Sequence, residues 1–209
     1  MSRDAVTLRS VLATGGMVVV LAVGVLGCDS PKPTSSAAIT APPAAVVPGD
    51  CAARIAAVKL DVVATLDAVD ACRFTPEGAT AARAALESGA SGAPLWAAVW
   101  VYAASGSDPA PLKPLATASD PSVRAMVGAA LLAFGDPAGF DVLREALTND
   151  GDLEGSAPPA TIGAFAAGSL AQLVMGDNLP TTSTDWAAWL SANASHLVFD
   201  AVSGTWASS

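Results

Sequence analysis

The sequence predicts an all-α protein, a short compact α-α superhelix of helical hairpins closed by a small C-terminal β-hairpin. Three observations predict it. Alanine supplies 47 of the 209 residues, and it has the lowest conformational cost in a helix. Apolar residues recur at spacings of three and four through most of the chain after residue 50. Gly, Asp-Pro and Ser-Asp punctuation divides those stretches at short intervals. At 52% hydrophobic and 14% charged residues, the composition is not that of a disordered chain. A net charge of −9 with no basic block removes the electrostatic footprint of nucleic-acid binding, so no nucleic-acid partner is expected.

Residues 1–27 have the layout of an export signal. Arg3 and Arg9 precede an apolar run of 17 residues that ends at Cys28, short for a bilayer span and of the length of a secretory signal. Val25-Leu26-Gly27-Cys28 resembles the lipobox of bacterial lipoprotein signals. The resemblance implies that the Cys28 thiolate takes a diacylglyceryl group and that a peptidase cuts before it, Gly27 suiting that enzyme's narrow subsite. The alternative is an uncleaved anchor helix, and both place the remainder outside the cytoplasm. Losing Arg3, Asp4 and Arg9 turns the charge from −9 to −10. Such a body is not drawn to anionic headgroups, so the lipid does the anchoring. The expected location is the bacterial cell envelope, periplasmic or surface-facing, with the membrane engaged through the N-terminal lipid.

Residues 28–50 read as a tether rich in Pro, Ser and Ala, whose prolines forbid helix and ladder hydrogen bonds. The helical body is assigned to residues 51–182 and a Trp-containing cap to residues 183–209. With Cys28 lipidated, Cys51 and Cys72 are an even pair in an oxidising compartment, and a disulfide is the natural proposal. The apolar spacing of Ile55, Val58, Val62, Leu66 and Val69 argues instead for one continuous helix. That helix would hold the cysteines about 30 Å apart, whereas a bridge needs Cα atoms within about 7 Å. If the bridge forms, the chain folds back near Lys59 to Asp61, with Asp61 capping a second helix.

Helices follow at 76–87, with Thr75 as N-cap and Pro76 at the first position, and at 93–104, apolar nearly all round. Asp108-Pro109 opens a third through Leu112 and Leu115. Asp120-Pro121 opens a fourth, 122–134, which buries Val123, Met126, Val127, Ala130, Leu131 and Phe134. Gly135-Asp136-Pro137 starts a fifth carrying Phe140, Leu143 and Leu147. An acidic insertion, 148–157, leads to a sixth at 161–175. Asp108-Pro109 with Leu115 returns as Asp136-Pro137 with Leu143 at an offset of 28, and Phe134-Gly135-Asp136 as Met175-Gly176-Asp177 at an offset of 41. Such pairs bury their apolar faces only by stacking.

The segment Asp120 to Leu147 (DPSVRAMVGAALLAFGDPAGFDVLREAL) resembles HEAT repeats in its Asp-Pro opening, the Val and Arg that follow, the Ala-rich second helix and the Gly-Asp-Pro step. The resemblance implies stacked helical hairpins and carries no reaction with it. It departs from an open superhelix because the second helices are almost uncharged, so the N-terminal helical segment, the C-terminal tail or a partner must cover them. Gly128, Gly163 and Gly168 within them predict close backbone approach. In the tail, Ser183-Thr184-Asp185 caps a helix with Trp186, Trp189 and Leu190 on one face, and 197–206 reads as a hairpin around a Ser-Gly turn. Bacterial HEAT-like proteins end similarly, which implies closure of the stack's exposed end.

Few groups are equipped for chemistry. Asp150, Asp152, Glu154 and Gly155 match half of a calcium loop, but Thr161 stands where a bidentate Glu is required. His196 is the sole imidazole, without a Gly-x-Ser-x-Gly elbow, and no Ser-x-x-Lys, His-Glu-x-x-His or Cys-x-x-Cys occurs. No metal, cofactor or catalytic residue is therefore expected. Trp96 and Trp100, four apart, and Trp186 and Trp189, three apart, either pack in the core or, exposed, form a stacking platform for glycan or peptide. The expected function is a membrane-anchored, non-catalytic HEAT-like scaffold with an unidentified envelope protein as partner. The alternative is a ligand-binding module using those tryptophans, and behind it an envelope hydrolase relying on His196.

Overall fold

The computed structural model describes residues 50–156 and 159–208. Cys28, the export signal and the tether lie outside the described residues, save Asp50, which begins α1 (Asp50–Ala57). The chain reverses after α1 and returns as α2 (Val63–Asp70). The disulfide is formed, with the Cα atoms of Cys51 and Cys72 at 5.7 Å, and both residues are fully buried. One continuous helix over this stretch is thus excluded. Asp61 does not cap α2; Val62 holds the cap position without a side-chain bond. Thr65 organises the turn instead. Its hydroxyl accepts from the Lys59 N–H at 3.0 Å and lies 2.8 Å or less from the carbonyl oxygens of Lys59 and Val62. A hydroxyl both accepts and donates, which an ionised carboxylate cannot do.

Four helices follow their sequence patterns closely. In α3 (Pro76–Glu87), Thr75 accepts from the Gly78 N–H, and α4 (Ala93–Ser105) is buried on several sides. Asp120 caps α5 (Pro121–Ala133) by accepting from the N–H groups of Ser122 and Val123. Helix α6 (Ala138–Ala146) ends one residue before Leu147. The expected third helix is a 3-10 turn, Lys113–Thr117. Pro109, Pro111 and Pro114 remove three donors from this short stretch, which leaves too few for an α-helix.

The sixth helix is shorter than expected. Helix α7 (Ile162–Leu173) gives way to a strand, β1 (Val174–Met175). Helix α8 (Ser183–Asn193) is capped by Thr182 rather than by the three residues after it. A 3-10 turn, Ala194–His196, leads into β2 (Leu197–Asp200), and β3 (Thr205–Ser208) is the last described element. The hairpin of β2 and β3 is therefore part of a three-stranded sheet ordered β1-β3-β2, with β1 parallel and β2 antiparallel to β3. Val174 and Met175 are joined to the tail by this pairing, so the sheet spans the boundary at residues 182 and 183.

Two buried clusters share α5. Val123, Met126, Val127, Ala130 and Leu131 face the first, with α1, α2, α3 and α4; Ala125, Leu132 and Ala133 face the second, with α6, α7, α8 and the sheet. Ten residues of this one helix are buried, which explains a sequence with Arg124 as its only charge. The close approach foreseen at Gly128 is real: a Cβ on Gly139 of α6 would stand 2.4 Å from the Gly128 carbonyl oxygen. Gly163 likewise lies against the backbone of Leu147 and Asn149. The apolar second helices are covered from within the chain: α1, α2 and α3 pack on α4, and α6 and α7 pack on α5.

Candidate functional site

The disulfide is the centre of a tightly held corner. The Cys51 N–H donates to the Glu77 carboxylate at 3.1 Å, and the Thr75 hydroxyl donates to the Cys72 carbonyl at 2.8 Å. Arg54 pairs with Asp50 and also donates to the Ala68 carbonyl near the end of α2, where a cation suits the helix dipole. Beside Cys72, the Arg73 guanidinium lies 4.1 Å from the Trp100 ring centroid and 5.0 Å from that of Phe74. Its side chain is 9% exposed and pairs with Asp70 at 2.9 Å. Phe74 adopts a left-handed φ of 64°, a conformation that a bulky residue holds only when its surroundings fix it. These are the marks of a structural clamp.

The tryptophans divide between the two clusters. Trp96 stacks on Trp100 at 5.6 Å in the first, and Trp186 meets Trp189 edge-on at 5.4 Å in the second. Trp96 and Trp186 are buried, while Trp100 and Trp189 are half-buried. The four do not come together on one surface. Trp206 is buried as well, donating from Nε1 to the Leu132 carbonyl at 2.9 Å.

The acidic insertion keeps its carboxylates exposed and lays its backbone over the first cluster. The Trp96 indole donates to the Glu154 carbonyl at 3.0 Å, and the Glu154 N–H donates to the buried Ser122 hydroxyl at 3.1 Å. Gly155, at a φ of 70°, presses so closely on Trp96 that a Cβ there would approach within 2.6 Å of the ring. Leu153 packs on the second cluster and its N–H donates to Ala160. Sequence reasoning missed this role; the available signal was a glycine placed after an acidic run, weighed only as half of a calcium loop and declined as one. Among the described residues, no three acidic, His or Cys side chains are grouped to hold a metal ion. His196 is exposed at the end of its 3-10 turn.

Charges inside the stack tie neighbouring pairs together. Lys113 donates to Asp136 at 2.8 Å, and the Asp136 side chain is only 13% exposed. That bond, helped by the Ala138 N–H, holds the Asp136 carboxyl below its ordinary pKa. Burial, reinforced by Asp108, pushes the Tyr102 phenol above its own.

The sheet has two unlike faces. Val174, Trp206 and Phe199 stand in register on the inner one, where Trp206 meets Phe140 and Phe199 lies over Gly135. Met175, Ala207 and Val198 stand in register on the outer one, with Met175 56% and Val198 57% exposed. Among the described residues, no helix is long and apolar enough to cross a membrane. No known family model, curated protein or solved structure matches the chain.

Proposed function

We propose that this chain is an exported bacterial lipoprotein, anchored through a lipid on Cys28, whose HEAT-like body acts as a non-catalytic scaffold for another envelope protein. The observation that carries the reading is the Cys51–Cys72 disulfide, buried in the first cluster shortly after the lipobox-like sequence. A bridge of this kind belongs to an oxidising compartment, which is where a cut before Cys28 would deliver the protein. The stacking of α4 on α5 and of α5 on α7 supports the HEAT-like arrangement, since these are the second helices of successive pairs. Interaction modules need a rigid frame and no reactive group, and the motif content of this sequence fits that role.

The burial of Trp96 and Trp186 weighs against the stacking platform for glycan or peptide. The test is metabolic labelling with an alkyne fatty acid. Label retained by the wild type and lost in Cys28→Ser, with globomycin causing the precursor to accumulate, is the expected result. An unlabelled wild type that matures in the presence of globomycin would overturn the lipid anchor.

A further inference from the structure

We propose that the outer face of the C-terminal sheet, together with the edge of β2, docks an extended basic segment of a partner protein. The inference rests on the scaffold reading and names the surface and the chemistry that it would use. Period-two geometry sends Val174, Trp206 and Phe199 inward and leaves Met175, Ala207 and Val198 as an apolar row across all three strands. Among the described residues Met175 and Val198 are left more than half exposed, and Val202 in the adjoining turn is 82% exposed. The strand β2 lies at the edge of the sheet, so among the described residues one side of its backbone pairs with no strand, the geometry that strand addition uses.

Charge selects the occupant. From residue 145 to the C-terminus the sequence holds seven acids and no Lys or Arg. Asp200 stands on the same outer face as Val198, two residues along β2, and exposed Asp177 follows Met175 closely. A strand added beside β2 continues the apolar row opposite Val198 and brings its next outward residue to Asp200. The matching pattern is therefore apolar–x–Lys or Arg, with the long cationic stem lying on the apolar row and its head at the carboxylate. A second copy of this face would bring more carboxylates and no cations, so self-association is disfavoured.

The test titrates the full chain into fluorescein-labelled decapeptides repeating Val-Thr-Lys-Thr (the Lys-Val peptide) or Val-Thr-Glu-Thr (the Glu-Val peptide), which set the apolar and the charged residue two apart on one face of a strand. The Lys-Val peptide is expected to bind, more weakly as salt rises from 20 to 200 mM, because screening shortens the reach of the charges. The Glu-Val peptide is expected not to bind. A Met175→Ser/Val198→Ser variant, altered only at exposed side chains and checked for an unchanged Tm, should bind about tenfold more weakly. Equal binding by that variant, equal binding of the acidic peptide, or no binding of the basic one overturns the proposal. Photo-crosslinkers at Val198 and at Thr80 on α3 in producing cells separate the two readings. Adducts with a basic segment at Val198 support this surface, and adducts from Thr80 alone refute it while leaving the scaffold intact. No adduct at either position counts against the scaffold itself.

Discussion

At the residue scale, the contact between Gly155 and Trp96 makes the insertion part of the body. Gly155→Ala places a methyl group against the indole in a backbone conformation that alanine resists, and should cost about 1–3 kcal/mol. Chemical denaturation measures the loss, and a red shift of tryptophan emission should accompany it as the cover lifts. Asp136 is a second such point. It accepts from the Ala138 N–H and from Lys113, so Asp136→Ala loses two bonds and should cost about 1–2 kcal/mol. Asp136→Asn keeps the turn and loses the ion pair, which is worth less than about 1 kcal/mol because Lys113 is largely exposed. The folded pKa lies below the unfolded one, so the pair's stability is present above about pH 4 and is lost as pH falls through the folded value. Melting curves between pH 2 and 6 should show a shallower acid decline for Asp136→Asn than for the wild type.

At the element scale, the N-terminal helical pair depends on its bridge. Helices α1 and α2 contribute only Cys51, Ile55 and Val69 as buried residues within their bounds, too little apolar surface to hold eight-residue helices by packing alone. Cys51→Ser should therefore cost about 3 kcal/mol for a loop of this length, read as a lower Tm that added reductant does not change further. Asp120→Ala, which leaves two N–H groups of α5 uncapped, should cost about 1–2 kcal/mol and disturb both clusters, since α5 belongs to both. The helices legible in the sequence were those with a cap and an unbroken apolar spacing, as at Thr75 and Asp120. Spacing misled over residues 51–72, where one pattern continues across a chain reversal that only the cysteines announce. It also missed β1, because a two-residue strand is defined by its distant partner, Trp206 and Ala207, and leaves almost no local trace.

At the scale of the whole molecule, the sequence foretold the apolar second helices and their need for cover, and left the cover open among the N-terminal helical segment, the C-terminal tail and a partner. The cover itself is set by long-range contacts, α1 and α2 over α4 and the insertion over Trp96, which spacing does not encode. The tryptophans were ambiguous for the same reason: four residues apart on a helix places Trp96 beside Trp100 and says nothing about the loop above. With Trp96, Trp186 and Trp206 buried and the other two half-buried, iodide should quench only a minor part of the emission. Quenching of most of it would revive the ligand platform. Of the outer sheet face, the hairpin over 197–206 was legible in the sequence; its apolar row, completed by Met175, exists through strand register alone.

The position of Cys51, one residue into α1 and bonded to Cys72, also decides how the body responds to tension. A pull along the chain preceding Asp50 cannot peel α1 away turn by turn. It arrives at sulfur and passes directly to the corner where Thr75, Glu77 and Arg73 are gathered. Mechanical strength at that end is therefore covalent at its first step, and a reductant would convert a shackle into a zip.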